Sequence, residues 1–161
     1  MTASVSLDRE SLPGVLAAVV LVNVVGSAPA ALGGPDSPWF QSLVKPALYP
    51  PPWLFGVVWP LLFSLLGVAL YIVWRADDPG RRLALGLFVT QMAFNVAWTP
   101  VFFRARNLAL ALGVIATLLV LLVPTAVAFW RVDRRAGLLL GPYLLWVTFA
   151  AVLNYRFLAV N

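Results

Sequence analysis

The chain of 161 residues contains no cysteine and no histidine. These two absences exclude disulfides, thiolate nucleophiles, Cys or His metal sites and the usual axial ligands of haem iron. Charged residues are also scarce, at 11% of the chain against 62% hydrophobic residues, whereas a soluble domain carries about 25% charged residues. We therefore expect an integral membrane protein with no metal site and no nucleic-acid partner.

The few charged residues lie in short clusters, and five charge-free intervals separate these clusters. Each interval reaches the roughly 20 residues that a helix needs to cross the bilayer core. The sequence therefore predicts an all-α membrane protein, a single domain over residues 1–161 that forms a bundle of five transmembrane helices. The predicted spans are 12–32, 52–74, 83–103, 108–130 and 136–155.

The basic residues predict the orientation of the bundle. Seven of them would share one side with the N-terminus: Arg9, Arg75, Arg81, Arg82, Arg131, Arg134 and Arg135. The other four would lie opposite: Lys45, Arg104, Arg106 and Arg156. Because cytoplasmic loops are enriched in Lys and Arg, we expect a cytoplasmic N-terminus and an outward C-terminus, in the cell (inner) membrane.

The third span has two unlike faces at helical spacing. One face is polar and aromatic, and it comprises Phe88, Gln91, Asn95, Trp98 and Phe102. The opposite face comprises Gly86, Thr90, Ala93 and Ala97. A face of small residues lets a second helix approach closely, so we predict a homodimer through Gly86, Ala93 and Ala97. Small residues of the fourth span (Ala109, Gly113 and Thr117) form the competing surface, and Pro100 should bend or end the third helix.

Two further spans carry aromatic stripes. Tyr143, Trp146, Ala150 and Asn154 share a face of the fifth span, and this face could close a pocket against the polar face of the third span. Trp59, Phe63, Leu66 and Leu70 line the second span. On these residues alone, the second stripe indicates either core packing or a ligand site.

The connection from Gly33 to Pro52 is the longest in the chain, and its many prolines predict that it contains no regular helix. It also carries aromatic side chains, among them Trp39, Phe40 and Tyr49. Two interpretations follow. The segment either folds back on the bundle as a lid, or it forms an aromatic belt at the membrane interface.

Taken in order, these motifs resemble those of the TspO/MBR family, the tryptophan-rich sensory proteins and translocator proteins that include the peripheral benzodiazepine receptor. Trp39-Phe40, Lys45-Pro46, Pro51-Pro52 and Trp59 resemble the family's first loop and second helix. Ala93-Phe94-Asn95, Trp98-Thr99-Pro100 and Phe102-Phe103 resemble its third helix, and Pro142-Tyr143, Trp146 and Leu153-Asn154 its fifth. The resemblance covers nearly the whole chain from the first helix onward.

The resemblance implies a homodimer whose first loop is a lid over a cavity that binds porphyrin or haem-like tetrapyrroles, sterols and synthetic benzodiazepine-type ligands. The implied ligand-binding residues are Phe40, Pro50, Trp59, Phe63, Asn95, Trp98, Trp146 and Ala150. No cofactor is required, since porphyrin or haem is the ligand. A sensor or carrier is favoured over an enzyme, because the spans contain no acid–base pair or nucleophile triad. The alternative is oxidative or light-dependent degradation of protoporphyrin, for which Trp59 and Trp146 are the catalytic candidates.

Overall fold

The computed structural model describes residues 9–161, so the first eight residues of the predicted domain lie outside the description. The described residues form helices and no strand. We number the α-helices in chain order: α1 Leu12–Ser27, α2 Pro38–Ser42, α3 Pro52–Arg75, α4 Arg81–Thr99, α5 Leu108–Val132, α6 Arg134–Leu139 and α7 Gly141–Val160. Within this part of the chain, five helical stretches are long and apolar enough to cross a membrane.

The five-helix bundle predicted from the sequence is therefore confirmed. The main difference in its boundaries is at the fifth span, which runs from Arg134 to Val160 and consists of α6 and α7 in succession. Leu140 separates these two helices. The charge of Arg156 did not end the helix, because its side chain is exposed near the end of the span, where a long basic side chain reaches water.

Two spans change helix type at proline residues. After Ser27, α1 continues as a 3₁₀ helix over Ala28–Leu32, in which Pro29 is buried. After Thr99, α4 continues as a π-helix over Pro100–Arg104, which closes with a hydrogen bond from Ala105 N to Pro100 O of 2.9 Å. Because proline has no N–H group, the regular α-helical ladder cannot continue through it unchanged. The prediction that Pro100 ends the third α-helix is confirmed.

The prediction that the first loop contains no regular helix was wrong at five residues. Helix α2 forms there because Ser37 caps its N-terminus, with Ser37 Oγ accepting a hydrogen bond from Phe40 N at 3.3 Å. Pro38 occupies the first helical position, where its missing N–H group costs nothing. The Ser-Pro pair that argued against a helix is thus the feature that starts one.

Small residues bring some of the helices into close contact. An added Cβ atom at Gly67 of α3 would lie 2.5 Å from Val19 Cα of α1, and one at Gly137 of α6 would lie 2.6 Å from Trp130 Cβ of α5. Further contacts join α4 to α5, α5 to α7 and α3 to α6. Glycine is required at these two positions because any side chain would separate the backbones.

The bundle can be described as two halves. We call the half near the connections 76–80 and 132–134 the closed half, and the half near the first loop, the connection 105–107 and the end of α7 the cavity half. In the closed half, fully buried side chains fill the space between α3, α4, α5 and α6, among them Leu66, Ala69, Val73, Leu122 and Phe129. A groove of about 1400 Å³ lies beside them, between α1, α3 and α4. The candidate functional residues lie in the cavity half.

Candidate ligand-binding site

A cavity of about 390 Å³ lies between the helices in the cavity half. Its wall receives residues from α1, α3, α4, α5 and α7, and residues 33–35, Phe40 and Tyr49 of the first loop cover one end. The volume is within the roughly 300–1,000 Å³ of small-molecule pockets. Among the described residues of the wall there is no Asp, Glu, Lys or Arg, so the site suits a largely apolar ligand.

The polar faces of α4 and α7 meet at this cavity. Trp98 Nε1 donates a hydrogen bond to Asn154 Oδ1 at 3.0 Å. Asn154 Nδ2 in turn donates to the backbone oxygen of Leu108, at the start of α5, at 3.0 Å. Asn154 is thereby fixed in orientation, and it holds the Trp98 ring on the wall.

A second group of polar side chains begins at Asn95 and leads away from the cavity. Asn95 Nδ2 donates to Tyr143 Oη at 2.7 Å, and Tyr143 Oη lies 3.2 Å from Gln91 Oε1, to which it donates. Tyr143 and Gln91 are fully buried and are not on the cavity wall. Asn95 is therefore the member of this group that a ligand can contact.

Aromatic contacts hold the first loop over the cavity. Phe40 is only 3% exposed, and its ring centroid lies 5.3 Å from that of Phe103, 5.5 Å from Phe157 and 5.8 Å from Tyr49. Lys45 Nζ donates to the backbone oxygens of Phe40 and Leu43 and lies over the Phe40 ring. These contacts favour the lid interpretation over a belt that lies flat in the membrane interface.

The side chain of Asn161 ties the same loop to the end of α7. Asn161 Oδ1 accepts from Val44 N at 2.8 Å, and Asn161 Nδ2 donates to Val44 O at 3.1 Å. The same nitrogen also donates to Phe157 O at 3.0 Å, one helical turn earlier. The Asn161 amide thus bonds both the backbone N–H group and the carbonyl oxygen of Val44, and it fixes the loop relative to Phe157 on the cavity wall.

The phenol of Tyr49 is the ionisable group that the loop contributes to the wall. Partial burial, and then the negative charge of Asp36, raise its pKa. Tyr49 is therefore neutral at physiological pH, and its hydroxyl can donate a hydrogen bond to a ligand.

Six of the eight binding residues implied by the resemblance lie on the cavity wall: Phe40, Trp59, Phe63, Asn95, Trp98 and Ala150. Pro50 and Trp146 do not. Trp146 lies behind the wall, where its ring centroid is 6.5 Å from that of Trp59 and 5.9 Å from that of Phe55. Its Nε1 atom is buried and has no hydrogen-bond partner among the described residues. Trp146 therefore supports Trp59 rather than facing the cavity.

The sequence interpretation assigned no binding role to several residues of the wall, namely Tyr49, Phe55, Phe103, Leu153 and Phe157. Asn154 was predicted on the face of the fifth span that could close a pocket, and it lies on the wall. Phe103 and Leu153 belong to motifs that carried the resemblance, but no binding role followed from them. Phe157 follows Asn154 by three residues and thus continues the face of Tyr143, Trp146 and Ala150. That spacing was the available signal for its position.

The small-residue faces proposed for dimerisation point away from the bundle. Gly86 and Ala93 are exposed and Ala97 is half-buried, and an added Cβ atom at Gly86 would meet nothing within 4 Å. The competing residues Ala109, Gly113 and Thr117 are exposed as well. Both faces are open to a neighbouring helix, and the choice between them stays a prediction.

Comparison with known proteins agrees with the sequence motifs. The model of the TspO/MBR family matches residues 16–160. The tryptophan-rich sensory protein of Cereibacter sphaeroides is 38% identical over 137 residues, which are 83% of this chain and 85% of that protein. The human translocator protein is 39% identical over 120 residues, which cover 73% and 71% of the two chains. The tryptophan-rich protein TspO of Chlorobaculum tepidum is 39% identical over 131 residues, or 79% and 82%. The chain therefore belongs to the TspO/MBR family of membrane proteins.

Proposed function

We propose that this protein binds a flat, largely apolar ligand of the porphyrin (tetrapyrrole) or sterol-like class in its cavity, and that it acts as a sensor or carrier of that ligand. The observation that carries the proposal is the covered cavity itself, whose wall combines aromatic rings with two amide side chains, Asn95 and Asn154. The names of the relatives, a sensory protein and a translocator protein, are consistent with either role.

The chemistry of the wall explains why such a ligand fits. Aromatic rings such as Trp59, Phe55 and Phe102 favour stacked or edge contacts with a flat ring system. Asn95 and Tyr49 supply neutral polar contacts that orient the ligand without an ion pair. A porphyrin or haem would be held by these contacts and not by a histidine bond to its metal, because the chain has no histidine.

Filling the cavity tests this function. Ala150 lies on the wall, and Val152, on the same helix, is exposed on the outside of the bundle. We expect Ala150→Trp to abolish saturable binding of protoporphyrin IX, titrated in the dark in lipid nanodiscs, because the indole occupies the cavity. Val152→Trp adds the same group outside the cavity and should bind as the parent does. Equal binding by both variants would contradict the proposal.

For assembly we propose a homodimer through Gly86, Ala93 and Ala97 of α4. The support is the exposure of Gly86 and Ala93 on one side of a helix whose other side is buried. Ala93→Phe should give monomers in detergent, measured by light scattering, whereas Gly113→Phe on α5 should leave the dimer intact. The reverse result would assign the interface to α5.

We also propose the orientation that the basic residues favour, with the N-terminus in the cytoplasm of a cell (inner) membrane and the C-terminus outside. The cavity half then faces outward. A cysteine placed at exposed Leu48 of the first loop should react with a membrane-impermeant maleimide in intact cells, and labelling only after lysis would contradict this orientation.

Degradation of protoporphyrin is the second candidate, because Trp59 is on the wall and contacts Trp146. These two indoles would be the oxidisable groups. If they take part, illumination-dependent loss of porphyrin in air should stop in the double variant Trp59→Phe, Trp146→Phe, with dark and anaerobic samples as controls. Undiminished turnover in that variant would reject the assignment.

A further inference from the structure

The side chains of Asn95, Tyr143 and Gln91 form a row of hydrogen bonds that leads from the cavity wall into the bundle, and we call this row the polar chain. Each of its hydrogen bonds has a donor and an acceptor, so the polar chain has a direction. Asn95 donates to Tyr143, and Tyr143 donates to Gln91. A phenol hydroxyl has one proton to donate. If Tyr143 donates it to Gln91, then Asn95 has to donate to Tyr143, and if Tyr143 donates it to Asn95, then Gln91 has to donate to Tyr143. Neither Tyr143 nor Gln91 reaches the cavity wall.

At each end of the polar chain, one amide atom makes no hydrogen bond to the described residues. At the inner end, Gln91 Nε2 is buried and has no partner among the described residues. At the outer end, no residue in the described part of the protein donates a hydrogen bond to Asn95 Oδ1. This oxygen is accessible, unlike Gln91 Nε2. Asn95 lies on the cavity wall, so the group it offers to a ligand in this arrangement is an acceptor.

The chain can also run in the opposite direction at nearly the same volume. Half-turns of the two carboxamides would let Gln91 Nε2 donate to Tyr143, Tyr143 donate to Asn95 Oδ1, and Asn95 Nδ2 face the cavity. The atom without a partner would then be Gln91 Oε1. A buried carbonyl that lacks a partner is more common in proteins than a buried N–H group that lacks one, so the atom left without a partner is no obstacle to the reversed arrangement.

We propose that Tyr143 and Gln91 are positioning residues that couple the edge of the Asn95 amide facing the ligand to the orientation of the buried Gln91 amide. In the parent protein both directions are accessible, so the cavity accepts a flat ligand that bears either a donor or an acceptor opposite Asn95. This inference rests on the proposed function of the cavity, because it needs a ligand that contacts Asn95.

Removing the amide of Gln91 should fix one direction. In Gln91→Leu the Tyr143 hydroxyl loses its inner acceptor, and its proton can then be satisfied by Asn95 Oδ1 alone. Asn95 Nδ2 is left facing the cavity, so the site prefers an acceptor. In Tyr143→Phe the chain is interrupted, Asn95 is free to present either edge, and no preference is imposed.

Three tricyclic probes of matched shape separate these cases. Carbazole offers an N–H donor, acridine at alkaline pH offers a nitrogen acceptor, and anthracene offers neither. Each is titrated by fluorescence against the parent, Gln91→Leu and Tyr143→Phe in nanodiscs, with empty nanodiscs subtracted. Gln91→Met, whose side chain is closer in length to glutamine, serves as a second variant if Gln91→Leu does not fold.

In the parent we expect carbazole and acridine each to bind about two- to twelvefold more tightly than anthracene, the range expected for one hydrogen bond. In Gln91→Leu the affinity ratio of acridine to carbazole should rise about tenfold, whereas in Tyr143→Phe it should stay near the parental ratio. A purely structural role of Gln91 would weaken all three probes equally, and that result would overturn the inference while leaving the cavity function intact. Failure of the parent to bind any probe saturably would overturn the inference, and the protoporphyrin IX titration decides the cavity function separately.

Discussion

The closed half and the cavity half of the bundle are built from similarly apolar residues, yet their open space lies in different places. The closed half is packed between α3, α4, α5 and α6 and is open only in a groove beside α1, whereas the cavity half is open between the helices themselves. In the closed half, aliphatic and small side chains such as Leu66, Ala69 and Val73 are fully buried, and the rings of Phe88 and Phe129 stack at 5.7 Å. In the cavity half, Trp59 meets Tyr143 edge-on, Phe55 meets Trp146 edge-on and stacks on Tyr49, and both rings are only half-buried. Flexible aliphatic groups fill space that rigid rings leave open.

The difference matters more in a membrane than in water. Lipid tails are as apolar as a protein interior, so helix association depends on close packing and on hydrogen bonds between helices. The closed half supplies close packing, for example where Gly67 lets α3 approach α1. The cavity half relies on hydrogen bonds such as those of Trp98 and Asn95. We infer that the closed half stabilises the bundle and that the cavity half is free to bind a ligand.

The largest effect should come from truncating a ring in the closed half. Phe129 is fully buried, so Phe129→Ala should lower the free energy of unfolding by about 3 kcal/mol, the low end of the range for buried Phe because the unfolded side chain remains in lipid. Phe103→Ala on the half-buried cavity wall should cost less than half as much. Equal losses, measured by unfolding in mixed micelles, would contradict the comparison.

Two glycines of α3, one in each half of the bundle, provide a second contrast. Gly67→Ala places a Cβ atom 2.5 Å from the α1 backbone, and we expect a loss of about 1–3 kcal/mol from the forced separation of the helices. Gly56 lies on the cavity wall with nothing within 4 Å, so Gly56→Ala should be neutral or stabilise by up to about 1 kcal/mol through helix propensity. Thermal unfolding of the two variants checks the sign of each change.

The tie between the first loop and α7 predicts a smaller, kinetic effect. Asn161→Ala removes both hydrogen bonds to Val44, each worth about 0.5–1.5 kcal/mol. We expect faster amide exchange at Val44, and association and dissociation rates of protoporphyrin IX that both rise by about five- to tenfold. Gln41→Ala is the control, because its amide bonds only Pro35 within the same loop. If both variants behave like the parent, Asn161 does not restrain the loop.

The smallest effect should be the pH dependence of the closed half. Asp133 caps α6, and the hydrogen bond from the Arg135 side chain lowers the pKa of its carboxyl group. A lowered pKa in the folded state gives stability that is present above the ordinary pKa and lost as the pH falls through the lowered one. We expect the Tm to drop slightly below about pH 4, with a contribution under about 1 kcal/mol. In Asp133→Asn, which can still cap the helix, that part of the pH dependence should vanish.

Much of the fold was predictable from the sequence because a membrane span has a simple physical signature. Charge-free length predicted the five spans, and helical periodicity predicted the inward face of the third. Phe88, Gln91, Asn95 and Phe102 are indeed buried. Pro100 ended the α-helix as expected, because the missing N–H group is a local property.

The remaining details depend on packing that no periodic pattern records. Helical spacing placed Trp146 on the same face as Ala150, but only Ala150 reaches the cavity. The Trp146 ring packs edge-on against Trp59 and Phe55 instead. The first loop has no periodic pattern, so periodicity indicated neither its short helix nor the contribution of Tyr49. The local signal for the helix was the capping pair Ser37 and Pro38. The tie between Asn161 and Val44 spans 117 residues of sequence, and polar side chains give no signal of such distant pairing.

Hydrogen–deuterium exchange of the protein in nanodiscs, with and without saturating protoporphyrin IX in the dark, tests the central claim most directly. The account predicts that the ligand slows exchange in the first loop, residues 33–50, and around residues 95–104, and leaves residues 66–76 and 122–136 of the closed half unchanged. Protection centred on the closed half, or no protection anywhere at saturation, would contradict it.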